Sequence, residues 1–315
     1  MKKFFYAVIF ILLTLALASA GCGGDKAEQQ AVSGGITVTD DNGRTVTLKG
    51  VPQKIVPLSA SFLEPLAELD AKVAARVAAK TGVSARYKNL PEVGNVYNVN
   101  LEKVIAAQPD LVICYKGMND KFVHNFEENN IPVIVLEMRT YGQVKNTVEV
   151  LGEITGSTAK AAELNKSMDE RIAAVKAKLP QGKKRIAILH STAQNVTVQL
   201  EGSIAGSTAQ LLGFTNIAAG NMPLENNATA APYSLETLVA ADPDIIYITS
   251  MGKLETVQDA MLKSLSASPA WQSLGAVKSG HVYFLPQDLF LLSPGLKYPE
   301  AVEYMAKLAY PDAFK

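Results

Sequence analysis

The sequence predicts an α/β protein: two lobes of alternating strands and helices joined by one long α-helix. Three observations carry this. Apolar runs of strand length alternate with amphipathic runs of helix length along most of the chain, the order that builds helix-covered parallel sheets. The stretch LEKVIAAQPDLVI, Leu101 to Ile113, is echoed by LETLVAADPDIIY, Leu235 to Tyr247. Leu101 pairs with Leu235, Glu102 with Glu236, Val104 with Leu238, Pro109 with Pro243 and Asp110 with Asp244, so the same helix, break and strand are written once per half. Between the two copies, Ala161, Leu164, Met168, Ile172, Val175 and Leu179 recur at helical spacing, which predicts a connecting helix of roughly 33 Å.

The chain opens with Lys2 and Lys3 and an apolar run from Phe4 to Ala18, too short for the ~20 residues of a membrane span. Ser19, Ala20, Gly21 and Cys22 follow, so residues 1–21 read as a cleaved export signal and ASAGC as a lipobox that leaves Cys22 lipidated. The polar, glycine-flanked residues 22–35 then form a flexible tether. Residues 36–156 make the first lobe, 157–180 the connecting helix with Ser157 as its cap, and 181–315 the second lobe.

The first lobe begins with ITVTDDNGRTVTL, a hairpin around Asn42-Gly43, followed by the strands KIVPLS, DLVICY and IPVIVLE. The second offers RIAILHS, NVTVQL, DIIYIT and HVYFLP, a helix from Leu254 to Leu265, and a terminal helix through PEAVEYMAKLA. Thirty bases balance thirty acids, which disfavours a nucleic-acid partner. Once Cys22 is modified, Cys114 is the remaining thiol, inside the apolar LVIC, so no disulfide is expected. GSIAG places Ser203 directly after Gly202 and is no nucleophile elbow. No nucleophile, histidine and carboxylate set can be placed, so the chain is not expected to be an enzyme.

In open α/β sheets, ligands bind beyond the carboxyl ends of the strands. The loops there supply Ser59 with Ser61, Tyr97, Tyr115, Lys116, Arg139, His190, the EGSIAG loop, Asp288 and Phe290 as candidate ligand contacts. Of the three histidines, His190 ends a buried strand and is the one placed to touch a metal, carried in a chelate; a bare metal site and a resident cofactor are not expected. Tyr97 and Tyr115 suit a flat conjugated ligand, and Lys116 and Arg139 suit its negative charge.

The opening TDDNGRTVTL, the turn LPEVGN before NLEKVIAAQPDLVI, and SLETLVAADPDIIYI resemble the solute-binding proteins of bacterial ABC importers for iron complexes and cobalamin, from Ile36 to about Pro311. The resemblance implies two Rossmann-like lobes on a helical backbone, the periplasmic binding protein fold of that family. It also implies that Glu102 and Glu236 dock into arginines of a permease dimer served by its ATPase, with a metal chelate as cargo. The protein is then an exported monomer on the outer face of the cytoplasmic membrane or in the periplasm, touching membrane only through its lipid. Tyr115 falls where the cobalamin binders carry a cleft tryptophan and Tyr97 beside another, while Ala230 replaces a third; Gly117 and Asn119 also resemble that group. Ferric siderophore, haem and corrinoid remain open as cargo. An oxyanion such as molybdate on the same fold, or an exported enzyme, is the alternative.

Overall fold

The computed structural model describes residues 35–79, 82–192, 195–251, 265 and 267–315. The expected export signal, Cys22 and all of the tether except Gly35 lie outside the described residues, as does the helix expected from Leu254, apart from Leu265. In the first lobe β1 (Ile36–Thr39) and β2 (Thr45–Leu48) form the hairpin, and β3 (Ile55–Pro57) is followed by a small hairpin of β4 (Gly94–Asn95) and β5 (Asn98–Val99). β6 (Leu111–Tyr115) and β7 (Val133–Leu136) complete a parallel sheet in the order β3-β6-β7, buried at every residue. Continuous Val, Ile and Leu runs are what a sheet covered on both faces requires.

The β1–β2 turn is fixed to this sheet by charge. The buried Asp40 carboxylate accepts from Arg44 Nε at 2.9 Å, Arg44 Nη2 at 2.7 Å and Val135 N at 3.1 Å. Arg44 Nη2 also donates to the Val133 carbonyl at 3.0 Å, so the guanidinium bridges the turn and β7.

The second sheet holds β8 (Arg185–Ser191), β9 (Val196–Gln199), β10 (Thr215–Asn216), β11 (Ala230–Pro232), β12 (Ile245–Ser250) and β13 (Val282–Phe284). Its order is β11-β9-β8-β12-β13, with β10 also on β8. β10 and β12 lie parallel to β8 and β13 to β12, as expected, but β9 runs antiparallel to β8, and β11, paired antiparallel to β9, again points the way of β8. The expectation of a wholly parallel sheet is corrected here. Only residues 192–195 separate β8 from β9, and a parallel crossover needs about a dozen.

Helices α1 (Leu63–Glu68), α2 (Leu101–Ala106) and α3 (Val123–Glu128) flank the first sheet, and α4 (Tyr141–Thr155) leads out of it. Thr140 and Gln143 close a capping box at the start of α4, and Gly156, at φ +70, ends it. The connecting helix is α5 (Thr158–Lys176), about 28 Å at 1.5 Å per residue and shorter than expected. Ser157 stands at its N-cap but does not cap it; the hydroxyl donates to the Leu69 carbonyl at 3.1 Å. α5 folds back along α4: Asn165 Nδ2 lies 3.1 Å from the Lys145 carbonyl and Tyr141 Oη 2.8 Å from Asp169. A Cβ on Gly152 would fall 2.5 Å from that of Ala161, so glycine sets how closely the helices approach.

Helices α6 (Ile204–Leu211) and α7 (Leu235–Ala241) belong to the second lobe, and the terminal helix Tyr298–Ala309 packs on α5 and α6. The chain thus returns to the first lobe just before its last helix. Ser61 Oγ meets the Ser293 carbonyl at 3.4 Å, and Tyr298 Oη lies 3.2 Å from the Arg139 carbonyl and 3.3 Å from that of Ile204. One apolar core runs from the first sheet through α4, α5 and the terminal helix to the inner face of the second, where Ile186, Ile188, Ile245 and Tyr247 lie. A smaller core under α7, with Trp271, covers the outer face.

α6 starts so close to the strand before it that a Cβ on Gly206 would sit 2.0 Å from the Leu200 carbonyl. Gly206→Ala is therefore expected to cost about 2 kcal/mol and to lower Tm by about 4–8 °C in a calorimetric melt. Gly142→Ala, which meets nothing within 4 Å, is the control and leaves Tm nearly unchanged.

Candidate functional site

The repeated motif builds the same local structure twice. Asn100 Oδ1 accepts from Lys103 N at 2.9 Å to cap α2, and Ser234 Oγ accepts from Thr237 N at 3.2 Å to cap α7. Burial follows the same pattern position by position from Leu101 to Asp110 and from Leu235 to Asp244. Gln108 and Asp242, each just before a proline, both have positive φ, at 50° and 37°, a matching column that residue identity conceals. Asp110 accepts from Gln53 N at 2.6 Å and Lys54 N at 2.8 Å, and Asp244 from Arg185 N at 2.8 Å, so each aspartate pins the start of the neighbouring strand. The echoed apolar column, proline and aspartate thus have internal tasks, and Glu102 and Glu236 are the echoed charged residues that have none. Both are exposed on a first helical turn, and among the described residues neither makes a hydrogen bond or ion pair.

At the carboxyl edge of the first sheet, Asn119 is fully buried and gathers three segments. Its Oδ1 accepts from Tyr115 N at 2.6 Å, and its Nδ2 donates to the Leu58 carbonyl at 3.0 Å and the Val96 carbonyl at 3.1 Å. It holds the ends of β3 and β6 beside the Tyr97 loop. The sequence offered Asn119 as a mark of resemblance; its role is to shape the edge.

The expected contacts divide there. Tyr97, in the turn between β4 and β5, is 57 % exposed. Tyr115 is buried against Phe62, ring centroids 5.8 Å apart, and its phenol, bonded to Arg139, is pushed up to about 12 chiefly by burial. Arg139 is half-buried, 3.5 Å from Glu137, and Gly117, at φ +75, leaves room for its guanidinium: a Cβ there would lie 3.3 Å from Nη2. Ser59 is buried, its hydroxyl accepting from Ser61 N to cap the following turn. Lys116 is drawn away, donating to the Asp41 carbonyl at 2.6 Å in the β1–β2 turn.

In the second lobe His190, partly buried at the end of β8, has Nδ1 2.9 Å from Thr249 Oγ1, and burial lowers its pKa. Asp288 is exposed. Phe290 is corrected from cleft wall to core: it is 2 % exposed and packs on Tyr304, ring centroids 6.5 Å apart. Ala230 is likewise buried, within β11, and is not a wall that an aromatic ring would complete. In the EGSIAG loop Ser203 Oγ accepts from Gly206 N at 2.9 Å and donates to the Leu200 carbonyl at 2.8 Å, a cap for α6. Two exposed apolar side chains were not singled out in the sequence, Met222, 84 % exposed after β10, and Met251, 44 % exposed after β12. Position directly after a strand was the signal for Met251; Met222 sits in a polar loop that carries none.

Two α/β lobes on a helical connector, with carboxyl-edge loops supplying Tyr97, Arg139 and His190 and a matched glutamate on each lobe, define a solute-binding protein. The chain belongs to the periplasmic binding protein family, which matches residues 55–289. It is 27 % identical to the ABC transporter substrate-binding lipoprotein YvrC of Bacillus subtilis, over 96 % of each chain, and 26 % identical to the Fe(3+)-citrate-binding protein YfmC of the same organism, over 93 % of each. In fold it is similar to an ABC transporter substrate-binding protein from Listeria monocytogenes, with TM-score 0.75 and 24 % identity over 82 % of this chain and 99 % of that one. The haem complex of IsdE from Staphylococcus aureus superposes with TM-score 0.72 and 22 % identity, over 82 % of this chain and 98 % of that one.

Asn119→Ala leaves two buried carbonyls and one amide without their partner, and each such group costs about 1–3 kcal/mol. Urea unfolding of the variant should show a loss of about 3 kcal/mol or more; a loss below about 0.5 kcal/mol would mean that Asn119 does not hold the edge.

Proposed function

We propose that this chain is the extracytoplasmic solute-binding component of an ABC importer, holding a metal chelate between its lobes and delivering it to the permease dimer and its ATPase. The observation that carries the reading is the pair of glutamates left free on two matched scaffolds. A two-fold permease presents the same surface twice, and one carboxylate per lobe answers it. The relatives named for ferric citrate and haem support a chelate as cargo. So do the side chains at the carboxyl edges: Arg139 suits anionic groups, Tyr97 and Met251 are exposed apolar side chains, and His190 ends β8 partly buried. Among the described residues no group of three His, Cys, Asp or Glu side chains is placed to hold a metal ion.

The role is capture, not turnover; Ser203, the serine of the glycine-rich loop, is bound up in capping. Cys22 carries the lipid that keeps the protein, a monomer, on the outer face of the membrane. Among the described residues no helix is long and apolar enough to cross a membrane.

Titrating haemin, cobinamide, ferric citrate, ferric siderophores and molybdate into the apo protein tests the cargo. A chelate should bind at micromolar concentration or below; molybdate alone binding would replace this reading with an oxyanion carrier. For an anionic chelate, Arg139→Ala should weaken binding about tenfold or more, the worth of one charge-assisted hydrogen bond. Glu102→Lys and Glu236→Lys should each reduce transport into cells while leaving affinity in solution within about twofold, because a charge reversed at a docking surface acts on the permease. Loss of affinity in either, with the fold intact by circular dichroism, would contradict their assignment.

A further inference from the structure

Thr249 engages one nitrogen of His190 and leaves the other without a partner. Its hydroxyl lies 2.9 Å from His190 Nδ1 and 3.3 Å from the Leu189 carbonyl, which can only accept. With the hydroxyl proton on that carbonyl, the oxygen accepts the Nδ1–H and the imidazole keeps its lone pair on Nε2, which has no hydrogen-bond partner among the described residues. Fixing one ring nitrogen by hydrogen bond while the other stays unprotonated is how proteins present histidine to a metal. The two strands make this rigid: His190 of β8 and Thr249 of β12 are register partners at the carboxyl edge. The other histidines lack this arrangement. His124 Nε2 pairs with Glu128 at 3.0 Å on an exposed helix, and His281 stands exposed at the amino end of β13.

We propose that His190 coordinates the metal of the cargo directly, through Nε2. This rests on the chelate-binding reading above and narrows it. A histidine nitrogen enters only where the metal has an exchangeable position: the lone pair forms the new bond, a water or other axial ligand leaves, and no electrons are transferred. A porphyrin or corrinoid offers such a position, and a hexadentate ferric siderophore does not. Ferric citrate too keeps exchangeable positions; among such chelates, the exposed apolar side chain beside His190 favours a tetradentate macrocycle with an open axial site. The neighbourhood fits this, since Met251, 44 % exposed, follows the strand beside His190, its N–H 3.1 Å from the Ser191 carbonyl, and offers apolar surface next to it.

The test is titration of haemin and aquocobinamide into the purified full chain, read by absorption and, for haemin, by electron paramagnetic resonance. The expected result is binding of at least one with the spectrum of histidine-ligated metal. In His190→Ala that signature is lost and affinity falls at least tenfold. His190→Met keeps a ligand and shifts the spectrum to that of a thioether, which a packing role would not do. Thr249→Val removes the acceptor for Nδ1 and should weaken binding several-fold, with broadened ligand-field features. A macrocycle bound by His190→Ala with unchanged spectrum and affinity would overturn the proposal. So would a ferric tricatecholate binding where both macrocycles fail, an outcome that leaves the chelate-carrier reading intact. Failure of every chelate, ferric citrate included, removes that reading as well.

Discussion

The arrangement depends on one buried phenol. Tyr298, fully buried at the start of the terminal helix, has its hydroxyl between the Arg139 carbonyl of one lobe and the Ile204 carbonyl of the other, and its ring lies 5.3 Å from that of Tyr141. Tyr141 N in turn donates to Ser207 Oγ of α6 at 3.2 Å. These contacts lie where α4 and α6 begin, below the loops that form the cleft. A hydroxyl within reach of one carbonyl from each side ties together two sheets that share no strand. Its one proton serves one of them at a time, and the Ile204 carbonyl also accepts from Thr208 Oγ1 at 2.8 Å, so the loss of the phenol falls chiefly on the Arg139 carbonyl.

Above this junction, much of the polar equipment at the cleft serves the scaffold. Asn119 ties three loops, Ser59 and Ser203 cap turns and helices, and Lys116 is spent on the β1–β2 turn, where buried Asp40 and Arg44 hold it. The groups at the carboxyl edges not bound up in this way are few: the half-buried Arg139 guanidinium, the His190 imidazole held by Thr249, and the exposed side chains of Tyr97 and Met251. A site of that composition suits a large ligand that brings its own polar chemistry, with most of its affinity from burial and a small number of directed bonds.

The repeated motif was the most legible feature, because helix cap, buried apolar column, proline and strand-pinning aspartate all leave side-chain signatures. Parallel strands were legible as continuous apolar runs. The antiparallel β9 was also written in the sequence, as a gap too short for a crossover, but amphipathic alternation says nothing of direction. Phe290 and Lys116 were misplaced for a different reason. Position after a strand puts a residue near the cleft without saying whether its side chain turns into the core or toward a carbonyl such as that of Asp41. The return of the chain through Ser293 and Tyr298 was invisible, since contacts between residues as far apart as Ser61 and Ser293 carry no local pattern.

Cys114 is fully buried in β6 and its thiol is pushed up to about 12, chiefly by burial, so it neither ionises nor reacts under ordinary conditions. With Cys22 the only other cysteine, a chain beginning after that position has no reactive background. Cysteines introduced at Lys103 and Thr237, each exposed and one residue beyond Glu102 or Glu236, would be the sole sites of attachment for spin labels or fluorophores. The distance between the tips of the two lobes thereby becomes directly measurable, empty and loaded, without first removing a native thiol from the core.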